Sequence, residues 1–119
     1  MSVTGISWHP LCPELDFPEE GKLAAQLNGW SVLVVRSDEG LRAVNDRCTH
    51  QAAALSPGKI RRGSIMCPLH GARFELASGR CIGGSYPDLR RFDLRIVDGN
   101  IEVAVPDEPP SLNERPVNL

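Results

Sequence analysis

Short apolar runs separated by turn-forming residues organise the chain, and no long helical period interrupts them. The run Ser31–Val35 is nearly continuous and follows the dipeptide Asn28-Gly29, which favours a tight hairpin turn. After Asp38-Glu39-Gly40, apolar and other residues alternate with period two over Leu41–Val44. These patterns predict antiparallel strands, and Gly21–Leu27 is the best candidate for a turn or two of helix.

A second hairpin is predicted near the end of the chain. The runs Leu94–Val97 and Ile101–Val105 flank Asp98-Gly99-Asn100, a strong turn signal. The residues predicted to face the core are Leu94, Ile96, Ile101, Val103 and Val105. Together the runs predict an all-β fold, an antiparallel sandwich or small barrel.

The middle segment, Arg47–Gly84, has a different composition. It contains three of the four cysteines, two of the three histidines and six of the glycines. Loop-rich sequence on a β scaffold is where a bound cofactor is expected. The tail, residues 106–119, has four prolines in fourteen residues and is predicted to lack regular structure.

Composition narrows the class of protein. The 119 residues fit one domain, and a formal charge of −2 disfavours nucleic acid as the main partner. The longest apolar stretch, Trp30–Val35, is too short to span a bilayer, and the first residues do not resemble a signal peptide. We therefore expect a cytoplasmic protein without a membrane anchor. In that setting four cysteines indicate metal or redox chemistry more than a disulfide framework.

Two short boxes carry the candidate chemistry. They are Cys48-Thr49-His50 and Cys67-Pro68-Leu69-His70, with sixteen residues between His50 and Cys67. Each box offers one thiolate and one imidazole, a donor set that suits zinc or an iron–sulfur cluster. A single zinc ion could take all four ligands tetrahedrally. A two-iron cluster could take both cysteines on one iron and both histidines on the other.

The spacing of the boxes, together with the residues around them, resembles the Rieske ferredoxin family. The similar segments are Ala43–His50 and Cys67–Phe74, and the likeness continues to the last hairpin, covering about residues 6–105. The resemblance implies a Rieske domain at 1–105, with a β-sandwich base and a cluster-binding subdomain at about 47–83. It implies one [2Fe–2S] cluster per chain, held by Cys48, His50, Cys67 and His70. Gly71 would bring its N–H close to a cluster sulfur.

The resemblance also implies a function. The expected role is a one-electron carrier between a flavin-dependent reductase and a Rieske-type oxygenase of aromatic rings. Outside the boxes only His9 remains, so the chain cannot supply the two histidines of a mononuclear iron site and is not expected to be an enzyme. The alternatives are a small subunit of an assimilatory nitrite reductase and a non-redox zinc-binding interaction module.

Four departures from the high-potential branch of the family predict the redox class. Ala53 and Leu69 occupy positions where that branch has cysteines that clamp the two loops with a disulfide. Ala72 and Phe74 replace a serine and a tyrosine that donate hydrogen bonds to the cluster. Without those donors the reduced cluster is less stabilised, which predicts a reduction potential of about −150 mV.

The remaining candidate residues have simpler interpretations. Cys12 and Cys81 are predicted to be small buried side chains, with packing of Cys81 beneath the cluster segment as the alternative. His9-Pro10-Leu11-Cys12 reads as the second box reversed, which we interpret as coincidence. The pairs Arg61-Arg62 and Arg90-Arg91 are predicted to be solvated charges, with a docking patch for an acidic partner as the alternative.

Overall fold

The computed structural model describes residues 5–49, 53–69, 71–84 and 86–115. Within these ranges the chain forms antiparallel strands and two short 3-10 turns, Glu14–Asp16 and Leu112–Glu114, which confirms the all-β prediction. No helix in these ranges approaches the length and apolarity that a membrane crossing requires. The strands are β1 (Ile6–Pro13), β2 (Lys22–Leu27), β3 (Trp30–Ser37), β4 (Gly40–Asn45), β5 (Lys59–Arg61), β6 (Ser64–Met66), β7 (Arg73–Glu75), β8 (Arg91–Phe92), β9 (Leu94–Val97) and β10 (Asn100–Pro106).

The strands form three sheets. The first sheet has the order β1-β10-β9, the second β2-β3-β4-β8 and the third β5-β6-β7. The third sheet lies within the loop-rich middle segment, between the two boxes and just after the second. The first two sheets contain strands from before and after the middle segment. We call these two sheets the base, and the middle segment is inserted between β4 and β8 of the base.

Strand β3 is buried on both faces and separates two apolar cores. Trp30, Val32 and Val34 belong to one core, and Leu33 and Val35 belong to the other. Successive side chains of a strand point to opposite faces, so a strand with a core on each side reads as a continuous apolar run. The sequence of Ser31–Val35 has this form for this reason.

The two cores have different members. The base core, between the first two sheets, comprises Phe17, Trp30, Val32, Val34, Ala43, Phe92, Ile101, Val103 and Val105. The site core, on the other side of the second sheet, comprises Leu33, Val35, Val44, Cys48, Leu55, Ile65, Cys67, Ala72, Phe74, Leu76, Cys81 and Leu89. The cysteines of both boxes therefore lie in the site core.

Both predicted hairpin turns are confirmed. Asn28 and Gly29 have φ of 51° and 84°, and Asp98 and Gly99 have φ of 51° and 78°. Positive φ at both central residues is the requirement of a type I′ turn, whose twist matches that of the flanking strands. These two turns set the register of β2 on β3 and of β9 on β10.

Two predictions about the strands are wrong. Gly21–Leu27 is not helical, because Lys22–Leu27 pairs residue for residue with β3 from the Asn28-Gly29 turn onward. Ile96 is not in the core and is 45% exposed, although it lies opposite the fully buried Ile101. Strand β9 is at the edge of its sheet. Ile96 therefore lies on the face of the sheet that points to the core, but at an edge that no other described strand covers.

The described part of the proline-rich tail packs against the base. The Trp30 indole N–H donates to the Glu108 carbonyl at 3.0 Å, and the Asn45 side-chain amide donates to the Glu114 carbonyl at 3.0 Å. Arg90 pairs with the Glu114 carboxylate and stacks 4.9 Å above the Trp30 ring centroid. The 3-10 turn Leu112–Glu114 was not predicted, since the prolines alone indicated only irregular chain.

Candidate metal centre

The structure describes the two cysteines of the boxes, whereas His50 and His70 lie outside the described residues. Cys48 lies three residues beyond the end of β4, and Cys67 directly follows β6. Their exposed fractions are 0% and 1%, and both belong to the site core. Two thiols thus enter one apolar core from two separate loops.

The loop that begins at Cys48 is held by its own backbone and by a buried carboxylate. The Cys48 N–H donates to the Ala53 carbonyl at 2.9 Å. The Asp46 carboxylate accepts hydrogen bonds from the backbone N–H groups of Leu55 and Ser56, both at 2.7 Å. Asp46 is 5% exposed, so one buried oxygen atom fixes where the loop returns to the core.

A lysine from the base holds the next turn of the same loop. The Lys22 ammonium group donates to the carbonyls of Ser56 and Gly58, at 2.6 and 2.8 Å. Gly58 lies so close to neighbouring backbone that an added Cβ would overlap the Met66 carbonyl oxygen and lie 2.9 Å from that of Leu55. Strand β2 and the β5–β6 hairpin are therefore both in contact with this turn, which ties the site to the base.

The loop that begins at Cys67 is closed by two backbone hydrogen bonds. The Cys67 N–H donates to the Ala72 carbonyl at 2.6 Å, and the Gly71 N–H donates to the Cys67 carbonyl at 3.1 Å. Gly71 has φ of 75°, the left-handed conformation that glycine adopts without strain. In this structure the Gly71 N–H closes the turn, and the expectation that it lies close to a cluster sulfur stays a prediction.

A third segment, residues 79–89, packs beside the first loop. The Thr49 hydroxyl, between the two ligand candidates of the first box, donates to the Pro87 carbonyl at 2.7 Å. The Leu89 N–H donates to the Gly79 carbonyl at 2.6 Å, which closes the base of this segment. Thr49 is thus the side chain that joins the first box to the third segment.

The residues around the two thiols are small or apolar. Phe74 is fully buried, Ala72 is 9% exposed, and both belong to the site core. Cys81 is also buried in that core, which confirms the prediction that it is a small buried side chain. Cys12 is only half-buried, against the base core, so the prediction that it is buried is wrong. Burial, followed by the charge of Asp16, raises the pKa of the Cys12 thiol. Leu69, by contrast, is 47% exposed.

The described donors fit a soft metal group. As thiolates, Cys48 and Cys67 would be negative charges among the apolar side chains of the site core, and a positively charged metal group would offset the cost of burying them. Zinc and iron–sulfur clusters supply that charge and prefer sulfur ligands, whereas Mg²⁺ and Ca²⁺ prefer oxygen. Within the described ranges no three histidine, cysteine or acidic side chains come together, and both box histidines are outside those ranges.

Three features of the site were not expected from the sequence. They are the Asp46 contact with Leu55 and Ser56, the Lys22 contact with Gly58, and the Thr49 contact with Pro87. A weak signal existed for the first, because a polar pair, Asn45-Asp46, directly follows an apolar strand and precedes the first box. The other two join residues 36 and 38 positions apart, and no local pattern marks them.

Comparison with known proteins identifies the family. The profile of the Rieske [2Fe–2S] domain matches residues 7–97. The anthranilate 1,2-dioxygenase ferredoxin subunit of Burkholderia cepacia is 35% identical over 105 residues, covering 87% of this chain and 96% of that protein. The 3-phenylpropionate/cinnamic acid dioxygenase ferredoxin subunit of Escherichia coli (strain K12) is 31% identical, covering 83% and 94%.

Similar domains also occur in larger proteins and in solved structures. Protein TIC 55, chloroplastic, of Arabidopsis thaliana is 34% identical over 76 residues, which are 63% of this chain and 14% of that protein. A chain in the structure described as the complex of reduced oxygenase and oxidized ferredoxin in carbazole 1,9a-dioxygenase superposes with a TM-score of 0.74. It is 25% identical, and the match covers 87% of this chain and 96% of that one. With a family match over more than half its length and near full-length relatives, the chain belongs to the Rieske [2Fe–2S] domain family.

Proposed function

We propose that this chain is a one-electron carrier that passes electrons from a flavin-dependent reductase to a Rieske-type oxygenase of aromatic rings. The observation that carries the proposal is the pair of buried thiols, Cys48 and Cys67, in one apolar core of a Rieske domain. The relatives with nearly the same length are ferredoxin subunits of dioxygenase systems, which supports an electron-transfer component and not a catalyst. A cytoplasmic location is part of the proposal.

The proposed ligands are Cys48 and Cys67 for one iron and His50 and His70 for the other. The cluster supplies a site that gains and releases one electron without a change in the polypeptide's covalent structure. The chain's own contribution is to exclude water and to hold the loops. Phe74 and the rest of the site core keep the sulfur side dry, and Asp46 and Lys22 fix the first loop.

The proposed domain boundaries follow from the same elements. A Rieske domain at 1–105 contains all ten strands apart from the last residue of β10, and the cluster-binding subdomain at about 47–83 contains the third sheet and both boxes. Residues 106–119 form the proposed tail. Its described contacts, at Glu108 and Glu114, are with the base and not with the loops that carry the boxes.

Metal analysis and spectroscopy test the cofactor. The purified protein is expected to contain two iron and two sulfide per chain, to be brown, and to give an electron paramagnetic resonance signal when reduced. Cys48→Ala, Cys67→Ala, His50→Ala and His70→Ala should each lose the colour. The matched controls Cys12→Ala and Cys81→Ala should retain it, since they remove a thiol from the base core and the site core without removing a proposed ligand. A colourless zinc protein would overturn the proposal in favour of an interaction module.

Reconstitution tests the pathway. Turnover of an aromatic substrate should require this chain together with a flavin-dependent reductase and a terminal oxygenase, and should stop with Cys67→Ala. The chain should accept electrons from the reductase in the absence of the oxygenase. Support of nitrite reduction, with no support of ring oxygenation, would instead identify the chain as a subunit of an assimilatory nitrite reductase.

A further inference from the structure

Charge is distributed very unevenly along the chain. Residues 47–84 contain six basic residues and one acidic residue, which gives this segment a formal charge of +5. The remaining residues contain seven basic and fourteen acidic residues, which gives −7. The chain is nearly neutral as a whole, but the part that carries both boxes is strongly positive.

The third sheet places much of this positive charge on one face. Ile60, Ile65 and Phe74 are partners across β5, β6 and β7, and Ile65 and Phe74 are buried in the site core with Ile60 packed against it. Because neighbouring positions point to opposite faces, the residues on either side of this row point outward. One outward row is Lys59, Met66 and Arg73, and the other is Arg61, Ser64 and Glu75. We call these six residues the outer face of the third sheet.

The cations of the outer face have no carboxylate partners. Lys59, Arg61 and Arg73 are exposed, and none of them takes part in the three ion pairs found among residues 5–49, 53–69, 71–84 and 86–115. The residues outside those ranges include no aspartate or glutamate. Glu75 accepts a hydrogen bond from the Ser78 hydroxyl at 2.7 Å and keeps its negative charge, so the outer face has three cations, one anion and a formal charge of +2. Three arginines of the base, by comparison, pair with glutamates: Arg42, Arg90 and Arg95.

The outer face adjoins the loop that carries Cys67. Met66 precedes Cys67, and Arg73 follows Ala72, whose carbonyl closes that loop. A groove of about 230 Å³ runs from Lys59 and Met66 to Cys67 and Gly71. A second cleft, of about 310 Å³, is lined by Arg61, Arg62, Ser64, Arg73 and Ile82. A molecule bound on this face would therefore lie beside the proposed cluster.

Arg62 is a different case from its neighbours. It occupies the β5–β6 turn, and besides the cleft that it shares with Arg61 and Arg73 it lines a further cleft together with Asp38 and Glu39. Those carboxylates reduce the field that Arg62 presents to a partner. The positive field of the outer face is thus centred on Lys59, Arg61 and Arg73.

We propose that the outer face of the third sheet is the docking surface for an acidic patch on the protein that accepts electrons from this chain. This inference rests on the proposed function as an electron carrier. Unpaired cations around a groove attract and orient an acidic surface, and such steering raises association rates about tenfold or more at low salt. The acidic base repels the same partner, so the charge asymmetry orients the chain with the proposed cluster toward it.

Electron transfer to two standard acceptor proteins tests the proposal. The reduced protein should reduce cytochrome b5, an acidic acceptor, faster at low salt than at high salt. In Arg61→Glu/Arg73→Glu this rate at low salt should fall about tenfold or more, and its dependence on salt should flatten. With cytochrome c, a basic acceptor, the same double variant should be faster than the native chain. Binding of oxidised cytochrome b5, measured by calorimetry, should weaken in parallel and does not require a cluster in this chain.

A charge-matched control separates location from total charge. Arg115 lies in the tail, where its guanidinium donates to the Pro110 carbonyl at 3.1 Å. Two chains that each carry a reversal, Arg115→Glu alone and Arg61→Glu alone, have the same net charge. The outer-face variant should lose cytochrome b5 affinity, and the tail variant should not. Equal effects of the two variants would overturn the proposal.

Three further outcomes are distinguishable. If the protein is brown and its electron-transfer rates and affinities for the acceptors are the same in the native chain and in Arg61→Glu/Arg73→Glu, the proposed docking surface is wrong and the proposed electron carrier is unaffected. A colourless protein overturns the carrier, and the calorimetric comparison then still decides whether this face binds acidic proteins. Self-association at low salt, seen by sedimentation and abolished by Arg61→Glu/Arg73→Glu, would show that the face binds a second copy of this chain and would overturn the proposed partner.

Discussion

The Asp46 carboxylate and the backbone N–H of Leu55 are 2.7 Å apart, and this hydrogen bond is buried. The same oxygen also accepts from the Ser56 N–H at 2.7 Å. One side chain thus satisfies two donors of the loop that follows the first box. Because a buried donor without a partner costs far more than the net gain of making its hydrogen bond, this contact controls the position of the loop.

Asp46→Ala is therefore expected to destabilise the protein by about 2–4 kcal/mol, since it leaves two backbone donors unsatisfied. Loss of visible absorbance in the presence of a chelator should be faster as well. Urea unfolding and chelator kinetics measure the two effects. Asp46→Asn keeps an acceptor oxygen and should recover most of the stability. The control, Asp107→Ala, removes an exposed acceptor of the Ser7 hydroxyl and should cost less than about 0.5 kcal/mol.

Gly58→Ala is expected to cost about 3 kcal/mol, because the new methyl group overlaps the Met66 carbonyl and crowds that of Leu55. Backbone on both sides leaves no side chain that can move away. Thermal unfolding of the holoprotein measures the effect. In Gly5→Ala the added methyl group meets only the Asp107 side chain, which can rotate, so this variant should be nearly neutral. Similar melting temperatures for the two variants would contradict the steric argument.

The reduction potential is expected at about −150 mV, at the low end for Rieske clusters. Phe74→Tyr adds a hydroxyl in the site core, and one hydrogen bond to a charged acceptor is worth about 1.5 kcal/mol, or about 65 mV for a one-electron couple. A redox titration should show an upward shift of that size. Phe92→Tyr makes the same change in the base core and should leave the potential unaltered. A clearly positive potential for the native chain would refute the assignment to the low-potential class.

The attachment of the tail should depend on pH through Glu114. Burial on its own raises the pKa of this carboxyl group, but hydrogen bonds from Arg90 and Ser111 outweigh burial, and the pKa lies below its ordinary value of 4.5. A carboxyl group with a lowered folded-state pKa stabilises the fold fully above its unfolded pKa and loses that contribution as the pH falls through the folded pKa. The contact between the tail and the base should therefore be constant from pH 7 to 5 and weaken below about 4.5.

Fluorescence reports this contact, because the Trp30 indole N–H binds the tail at Glu108. A Trp8→Phe background leaves Trp30 as the only tryptophan. The acid-induced change should be present in that background and reduced in Glu114→Gln, with an energetic difference of at most about 1 kcal/mol for a pair this exposed. An identical acid profile in both chains would show that Glu114 does not hold the tail.

Local sequence signals predicted the parts of the fold that local geometry determines. Asn28-Gly29 and Asp98-Gly99 formed the predicted turns, because their positive φ angles are properties of two or three adjacent residues. The same signals failed for Ile96, since alternation identifies the face of a strand but not whether another strand covers it.

The candidate site also has features that local sequence predicts and features that it does not. The spacing of the two boxes predicted that Cys48 and Cys67 share one site, and both are buried in the site core. The Lys22 and Thr49 contacts with distant carbonyls could not be predicted, because they depend on how the third sheet and residues 79–89 pack against the base. The ligand roles of all four residues, Cys48, His50, Cys67 and His70, stay predictions.

Strand β3 has a consequence for how this molecule can change over evolution. The side chains of Trp30, Val32 and Val34 are constrained by packing in the base core. The side chains of Leu33 and Val35 are constrained by packing in the site core, which contains Cys48 and Cys67. Two selective pressures therefore alternate residue by residue over the four positions 32–35. Insertion or deletion of a single residue there would exchange the two sets at once, so drift in this strand can proceed by substitution but not by change of length.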